Sequence, residues 1–538
     1  MRRARTLKHC GPCISRRVFL AAAAAIILPI GARGASAQDD VDADLLLIGG
    51  TIVDGTGGVP YQGNVAVRGE RIVAVGDFTA GEIKRRIDCQ GMIVAPGFID
   101  LHNHSDRPIL REETRTAINY LTQGCTTIVT GNCGGGHVNV ADYLAKLEEK
   151  PPGVNVAHLL PHGSLRSRVV SGGRRPPTEE ELDQMRTLAR KAMQDGAWGM
   201  STGLIYVPGA YAQTDELVEI AKVVGTFGGI YASHIRGESK TLLTAVEEAL
   251  EIGSRAELPV HISHFKVMGR PYWGSVHVAA KRIEEAQAAG QRVTADQYPY
   301  IASSTSLAAM VLPSELREGG SDALAKRVRD EKLLPELHRE IEQSLGLRDR
   351  IQIASFSKNR KWEGKLLADI AEAEKRSEVD IVVEILAEGG ASAVNFGMSE
   401  DDVRRVMQLP WVATASDGSA KVADQTKPHP RSFGTFGRKI GRYALEEKVL
   451  SLEAAVRSCS GLPADILGMS DRGYLREGCF ADVAVLDPAL LMDRATFTEP
   501  FVCCSGVRYV LVGGKLAIAD GRPADTAAGR PLRHVVAE

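Results

Sequence analysis

The sequence predicts an α/β protein in which a (β/α)8 barrel is joined to a small β-sandwich domain formed from both chain ends. Across the middle of the 538 residues, apolar strand-like segments alternate with amphipathic helical ones. Eight such strands occur there, which is the number that closes a barrel. Short alternating segments between glycine-rich turns predict the β domain at residues 41–95 and 472–535, and the barrel then occupies residues 96–471.

The predicted barrel strands follow one another along the chain as "APGFIDLHNH", "CTTIVTGNC", "NVAHLLPHG", "AWGMSTGL", "GIYASHI", "PVHISHFK", "RVTADQYPY" and "WVATASDG". Between the seventh and the eighth lies a longer stretch with a helical pattern, residues 307–406. Connections between barrel elements usually have about 2–6 residues. We therefore predict a helical insertion there, placed as a lid near the active site.

The first forty residues follow a different pattern. A basic start leads into "SRRVFL", then into the apolar run "AAAAAIILPIG", and small residues precede Gln38. This order is typical of a twin-arginine signal peptide, here residues 1–37. An uncleaved membrane anchor is the alternative, but a spanning helix needs about 20 apolar residues and this run is shorter. We expect export to the periplasm or the cell exterior, with no stable membrane insertion after cleavage.

Composition narrows the class of protein. The net charge is −2 and 44% of the residues are hydrophobic, with acidic and basic residues interspersed. This pattern indicates a soluble globular protein and argues against a nucleic-acid partner. Two of the nine cysteines fall in the signal peptide, and the remaining seven have no regular spacing. An odd, irregular set does not indicate a disulfide framework.

Polar residues stand where the predicted barrel strands end, which is where such barrels place their active sites. His102 and His104 are two residues apart, so both side chains face the same way along a strand. A pair of this kind is a weak signal by itself, because it is also found at an ordinary polar strand end. On the sixth strand we prefer His264 over His261, which lies farther from the strand end. The other strand ends carry Cys133, His234 and Asp417.

Cys133, in "TIVTGNCGGG", admits three interpretations: a buried core residue, a nucleophile or a metal ligand. Two histidines and a thiolate make a tight zinc site, whereas histidines and an aspartate suit a weaker one. A thiolate on zinc needs no neighbouring base and is a poor nucleophile. Because the candidate ligands all stand at one end of the predicted barrel, the sequence favours the metal interpretation.

Six segments carry a resemblance to a known family: "APGFIDLHNHSD", "GCTTIVTGNCG", "YASHIRGE", "ISHFKVMGRPYWG", "DQYPYIASSTSL" and "HPRSFGTFGRKIGRY". In these segments the chain resembles the N-acyl-D-amino-acid deacylase (D-aminoacylase) family of the amidohydrolase superfamily. The resemblance covers nearly all of the chain after the signal. Most superfamily members bridge their metals with a carboxylated lysine on the fourth strand, and "AWGMSTGLIYVPG" has none. The D-aminoacylase branch uses a cysteine from the second strand instead.

The resemblance implies a barrel of amidohydrolase type with one essential Zn²⁺ held by Cys133, His234 and His264. Cys133 would bridge toward a second, weaker position formed by His102, His104 and Asp417. The implied substrate is a small molecule with a free carboxylate. Spacing along the strands suggests Lys266 and Arg236 as its partners, with solvated surface charges as the alternative, and the family pattern adds Tyr298, Ser304 and Arg431.

The implied reaction is hydrolysis of N-acyl-D-amino acids to a carboxylate and a free D-amino acid. Metal-activated water attacks the amide, and Asp417 acts as general base and acid. The alternative for Asp417 is a purely metal-binding role. A dipeptidase acting on D-residue peptides is the nearest rival, and an exported metal-binding protein without catalysis is the more distant one. "SHFK" and "HIRGE" stand where the family often has "SHHK" and "HIRDE", so acyl preference is not predicted, and neither is oligomeric state.

Overall fold

Eight strands form a barrel in the middle of the chain, as the alternation of segments predicts, in a computed structural model that describes residues 40–170, 173–524 and 527–535. The predicted signal peptide, residues 1–37, lies outside the described residues. The barrel strands are β1 Phe98–Asp100, β2 Cys125–Thr130, β3 Asn155–His158, β4 Gly199–Gly203, β5 Ile230–His234, β6 Val260–Ile262, β7 Val293–Gln297 and β8 Val412–Thr414.

The barrel strands pair in parallel in chain order. From β3 the chain continues through the short strand Leu160–Pro161, which pairs with β4. The ring closes between β8 and β1, where Asn103 and Gly418 form a parallel bridge. There the backbone N–H of Asp417 donates to the carbonyl of His102 over 2.8 Å. Nearly every strand residue is buried, as expected for parallel strands enclosed by side chains inside and by helices outside.

Amphipathic helices cover the barrel. The longest begins at a capping box between Thr178 and Glu181, which satisfies free N–H groups of its first turn. No helix in the described part of the chain combines the length and apolar character that a membrane crossing needs. The barrel helices are Ile118–Leu121, Val140–Glu149, His162–Val169, Glu179–Gln194, Thr214–Gly225, Leu242–Ala256, Ser275–Ala288, Glu400–Met407, Arg431–Gly437, Leu452–Cys459 and Gly461–Leu467, with a π-helix at Arg438–Glu446.

Strands from both chain ends pair in one nine-stranded sheet. Ile93–Pro96 runs antiparallel to Val483–Leu486 and so joins the two ends. The sandwich arrangement and the domain boundaries stay predictions. The seven cysteines among the described residues are all free thiols. The other strands of this sheet are Val41–Ile52, Tyr61–Arg68, Arg71–Gly76, Ala80–Asp88, Val507–Val512, Lys515–Ala519 and Arg522–Pro523.

The segment between β7 and β8, where a helical insertion is predicted at residues 307–406, has several helices together with strands that were not predicted. It contains a three-stranded antiparallel sheet of Ser303–Ser306, Ile351–Ser355 and Ser392–Asn395. Each strand is only four or five residues long, too short for its alternation to stand out among helical patterns. The segment has a hydrophobic core of its own. Its helices are Leu307–Val311, Gly320–Arg327, Leu334–Gly346, Leu367–Glu374 and Glu378–Ala387.

Candidate active site

All six side chains predicted as metal ligands meet at the C-terminal mouth of the barrel. Cys133 Sγ lies 3.2 Å from His102 Nε2 and 3.5 Å from His234 Nδ1. His264 Nε2 lies 3.8 Å from the same sulfur and 2.8 Å from His234 Nδ1. Three strand ends therefore bring two imidazole nitrogens and a sulfur to one point.

Asp417 stands beside this group and joins it to the predicted second position. Its Oδ1 atom lies 3.0 Å from His104 Nε2 and 3.6 Å from His102 Nε2. Within each of the sets His102–His104–Cys133, Cys133–His234–His264 and His102–His264–Asp417, the possible ligand atoms lie within 4.8 Å of one another. Nitrogen, sulfur and carboxylate oxygen donors converging in a buried site fit a zinc ion.

Three of the six side chains sit on left-handed backbone. The φ angles are 50° at Cys133, 37° at His264 and 48° at Asp417. Non-glycine residues in this region cost about 1–3 kcal/mol each, and such strain concentrates at functional sites. Close packing holds the Cys133 loop, because a Cβ on Gly203 would stand 2.2 Å from the Cys133 carbonyl oxygen. The glycines around this loop therefore allow backbone contact as well as leaving room for a substrate.

The electrostatics of the cluster favour anionic ligands. Burial opposes charge on the Cys133 thiol, but the positive charge of His102 and its neighbours outweighs burial and holds the pKa well below its usual value. Burial likewise disfavours charge on Asp417, and Arg431 with His102 holds its pKa well below the usual range. Burial would lower the pKa of His104, yet its hydrogen bond to Asp417 raises that pKa to about 9.

Two buried carboxylates beside the cluster were not predicted. Glu238 Oε1 lies 2.8 Å from His264 Nδ1, and Asp296 Oδ2 lies 3.4 Å from His102 Nδ1. Both are less than a tenth exposed. Asp296 has a sequence signal, since a carboxylate within a predicted barrel strand, "RVTADQ", is enclosed by the barrel and needs buried partners. Glu238 lies in a loop after β5 and has no comparable signal.

A cleft of about 520 Å³ opens over the cluster. Arg431, predicted from the family pattern, reaches Asp417 Oδ2 with its guanidinium at 2.8 Å. It also lies over the ring of Tyr298, 4.7 Å from the centroid. Ser304 lines the cleft, and so does Tyr206, which was not predicted and whose ring centroid is 5.0 Å from that of His234.

Lys266 does not line the cleft. Its ammonium forms a buried ion pair with Glu238 and lies 2.9 Å from His264 Nδ1. The prediction that it faces the mouth assumed an extended strand through residue 266. Because β6 ends at Ile262 and His264 has left-handed backbone, the strand alternation that would point Lys266 to the same side as His264 does not extend to Lys266.

Arg236, predicted as a substrate partner, points away from the cleft. Its guanidinium makes two 2.9 Å hydrogen bonds to the Glu248 carboxylate and two more to the carbonyls of Ala210 and Ala212. The period-of-two argument fails here because β5 ends at His234, so residue 236 is already in a loop. Arg236 therefore holds that loop to its neighbours.

Arg236→Ala is expected to lower the free energy of unfolding by about 1–3 kcal/mol while leaving KM unchanged, since it removes two hydrogen bonds to Glu248 and the donor to two carbonyls. Denaturant unfolding and steady-state kinetics measure the two effects. Arg255→Ala is the matched control, because its pairs with Asp215 and Glu251 are exposed and such pairs contribute about 0–1 kcal/mol. A raised KM with unchanged stability would restore Arg236 to the substrate site.

The arrangement matches a known family. A family model described as "Amidohydrolase family" matches residues 85–518. The protein belongs to this family. The likeness of this amidohydrolase to D-hydantoinase, at 15% identity and a TM-score of 0.55, concerns the fold alone.

Curated relatives support the narrower resemblance drawn from the sequence. This amidohydrolase is 36% identical to D-aminoacylase of Alcaligenes xylosoxydans xylosoxydans, over 93% of this chain and 100% of that protein. It is 35% identical to N-acyl-D-glutamate deacylase of the same organism, over 91% of this chain and 96% of the relative. The resemblance to the N-acyl-D-amino-acid deacylase family is thereby confirmed.

Solved structures agree with the curated relatives. A D-aminoacylase crystal structure aligns with a TM-score of 0.78 and 34% identity, over 91% of this chain and 99% of the other. An N-acyl-D-glutamate deacylase of Bordetella bronchiseptica, complexed with zinc and a phosphonate inhibitor, has a TM-score of 0.78 and 33% identity, over 92% and 100%. A further D-aminoacylase structure is described as having a binuclear metal centre, with one-metal activation and second-metal attenuation.

Proposed function

We propose that this amidohydrolase cleaves the amide bond of N-acyl-D-amino acids with one essential zinc ion, giving a carboxylate and the free D-amino acid. The observation that carries the proposal is the group of Cys133 with the buried His234 and His264, beside Asp417. A cleft that also contains Arg431 opens onto this group. The names of the relatives, a D-aminoacylase and two N-acyl-D-amino-acid deacylases, support the same substrate class.

The donor set fits zinc. Cys133, His234 and His264 would hold the tight ion, and His102, His104 and Asp417 would form the weaker position with Cys133 between the two. A zinc ion in the tight position would supply Lewis acidity toward a carbonyl and make water nucleophilic near neutral pH. The nitrogen of His234 that faces Cys133 Sγ is Nδ1. The other ring nitrogen, Nε2, is buried without a hydrogen-bond partner among the described residues.

Asp417 acts as the base and then as the acid. Its ionised carboxylate lines the cleft and is ready to accept the proton of the attacking water. The same carboxyl group then returns that proton to the nitrogen of the leaving amine. Its contact with Arg431 keeps the carboxylate ionised and oriented before the substrate arrives.

Arg431 is the proposed partner of the substrate carboxylate. Its guanidinium suits bidentate recognition of a carboxylate. The ring of Tyr298 lies beneath it, and the buried Tyr298 hydroxyl, which has no hydrogen-bond partner among the described residues, would be a second donor. Ser304 borders the same cleft, with its Oγ donating to the Ala393 carbonyl at 2.9 Å. Lys266 supports the ligand cluster through Glu238 in this proposal and does not contact the substrate directly.

A second candidate is cleavage of D-residue peptides. A cavity of about 590 Å³ adjoins the cleft, shares Tyr206 and Val207 with it, and reaches between the barrel and the insertion. This space is large enough for acyl groups bigger than acetyl, including an aminoacyl group. The cavity supports a peptidase activity of the same site and the same mechanism.

N-acetyl-D-methionine is expected to be cleaved in preference to N-acetyl-L-methionine, because the relatives that are 34–36% identical are named for D-amino-acid substrates. Released amine is measured with zinc-loaded enzyme, and L-alanyl-D-methionine in the same panel tests the peptidase candidate. The Asp417→Asn variant serves as the background control. Absence of amine release from a broad set of N-acyl-D-amino acids would refute the proposed function.

We also propose that residues 1–37 direct export through the twin-arginine pathway. The support is the order "SRRVFL", apolar run and small residues before Gln38. Arg16→Lys combined with Arg17→Lys is expected to leave the protein in the cytoplasm, whereas the unaltered chain reaches the periplasm. Cell fractionation with immunodetection measures this, and equal export of both forms would contradict the proposal.

A further inference from the structure

The carboxylate of Asp296 lies behind the ligand cluster and contacts residues at two strand ends. It is 1% exposed and stands on β7. Its Oδ1 atom accepts a hydrogen bond from the backbone N–H of His264 over 2.7 Å, and its Oδ2 atom lies 3.4 Å from His102 Nδ1. We propose that Asp296 is the positioning residue of the metal centre, holding His102 and His264 in their binding orientation. This inference rests on the proposed function.

The backbone around His264 depends on Asp296. The strand β6 ends at Ile262, and His264 then adopts a φ of 37°. The side chain of Asp296 accepts the N–H of His264, and its carbonyl accepts the N–H of Phe265 over 2.7 Å. Two consecutive peptide groups are thus fixed by one residue. These two hydrogen bonds hold His264 in the left-handed conformation that directs its Nε2 atom toward Cys133.

The ring of His102 depends on the same carboxylate. His102 is fully buried, and its Nδ1 atom lies at ion-pair distance from Asp296 Oδ2, 3.4 Å, without a hydrogen bond of standard geometry to any described residue. A carboxylate behind a ligating histidine fixes its tautomer and ring orientation. Here it favours the proton on Nδ1 and leaves Nε2 facing Cys133 and Asp417.

Asp296 is itself held in place by His261. The Nε2 atom of His261 lies 2.8 Å from Asp296 Oδ2, and its Nδ1 atom lies 2.9 Å from Thr294 Oγ1. The register of β6 against β7 places His261 beside Thr294, which brings its ring to the carboxylate. His261, the histidine not chosen as a ligand, therefore fixes the orientation of the group that orients two ligands.

The test is the zinc dissociation constant, measured by competition with a chelator on the full chain. Asp296→Asn is expected to raise this constant about 10- to 100-fold, the usual effect of removing such an outer carboxylate. At saturating zinc its KM is expected to match that of the wild type, because the cleft is unchanged. A folded Asp296→Asn variant with a zinc dissociation constant within about twofold of the wild-type value overturns the proposal.

The matched control is Asp402→Asn, since Asp402 is also buried and accepts a backbone N–H, that of Gly274, but lies outside the cluster. Its zinc dissociation constant is expected to be unchanged. If Asp296→Asn does not fold, the zinc dissociation constant of His261→Gln is measured instead. A value equal to that of the wild type overturns the proposal. If the wild-type protein binds no zinc, the proposed metal centre itself is refuted. If the wild type binds zinc and the variants bind it equally well, only the role of Asp296 is refuted.

Discussion

Asp417→Asn is expected to lower kcat by about 10²- to 10⁴-fold, the range found for loss of a general base or acid. The substitution keeps the size of the side chain and removes its ability to accept the proton from water. Zinc in the tight position is expected to remain, because Cys133, His234 and His264 are unaltered. Steady-state kinetics together with metal analysis of the purified variant measure both quantities.

The control for this variant is Asp401→Asn, an exposed residue on the helix that precedes β8. It removes the same charge at a distance from the cleft, so kcat is expected to stay at the wild-type value. If Asp417→Asn retains its activity with zinc bound, Asp417 is not the base. A loss of tight-site zinc in that variant would instead indicate a purely metal-binding carboxylate.

Cys133→Ala is expected to lose zinc and activity together, with the rate falling to background. The thiolate is the only anionic ligand in the set Cys133–His234–His264, and it also contacts His102. Without it, two neutral imidazoles remain as ligands of the tight ion, and structural and catalytic zinc sites use at least three protein ligands. Metal content by atomic spectroscopy and turnover of N-acetyl-D-methionine measure the outcome.

Cys125, on the strand that precedes the Cys133 loop, provides a matched control. It is buried, its thiol contacts the Thr127 carbonyl, and burial raises the pKa of this thiol well above its usual value. Cys125→Ala removes a core thiol and is expected to cost about 1 kcal/mol of stability while leaving zinc and activity in place. Full zinc occupancy in Cys133→Ala would return Cys133 to the class of core residues.

Several features of this protein follow from local patterns in the sequence. The eight barrel strands were predictable because each is a short apolar run followed by turn or polar residues. The convergence of the six ligand side chains was predictable as well. Parallel strands place their C-terminal ends at one mouth, so residues far apart in the chain such as His102 and Asp417 must come together.

The side-chain directions of residues two positions beyond a candidate ligand were less predictable. For Arg236 and Lys266 the argument needed the strand to continue, and in both places it had already ended. A loop does not carry the alternation of side chains, so the direction of each group was decided by its nearest partner. That partner is Glu248 for Arg236 and Glu238 for Lys266.

By itself, the sequence determined the barrel, the family and the set of candidate ligand residues, since these depend on periodicity and on residue types at strand ends. Only the tertiary structure decided which buried groups support the ligands and how the segment before β8 is built. The contacts of Asp296 with His102 and His264 join residues that are 194 and 32 positions apart. Such contacts depend on register and on left-handed turns, which arise from packing across the whole barrel and leave no local pattern in the chain.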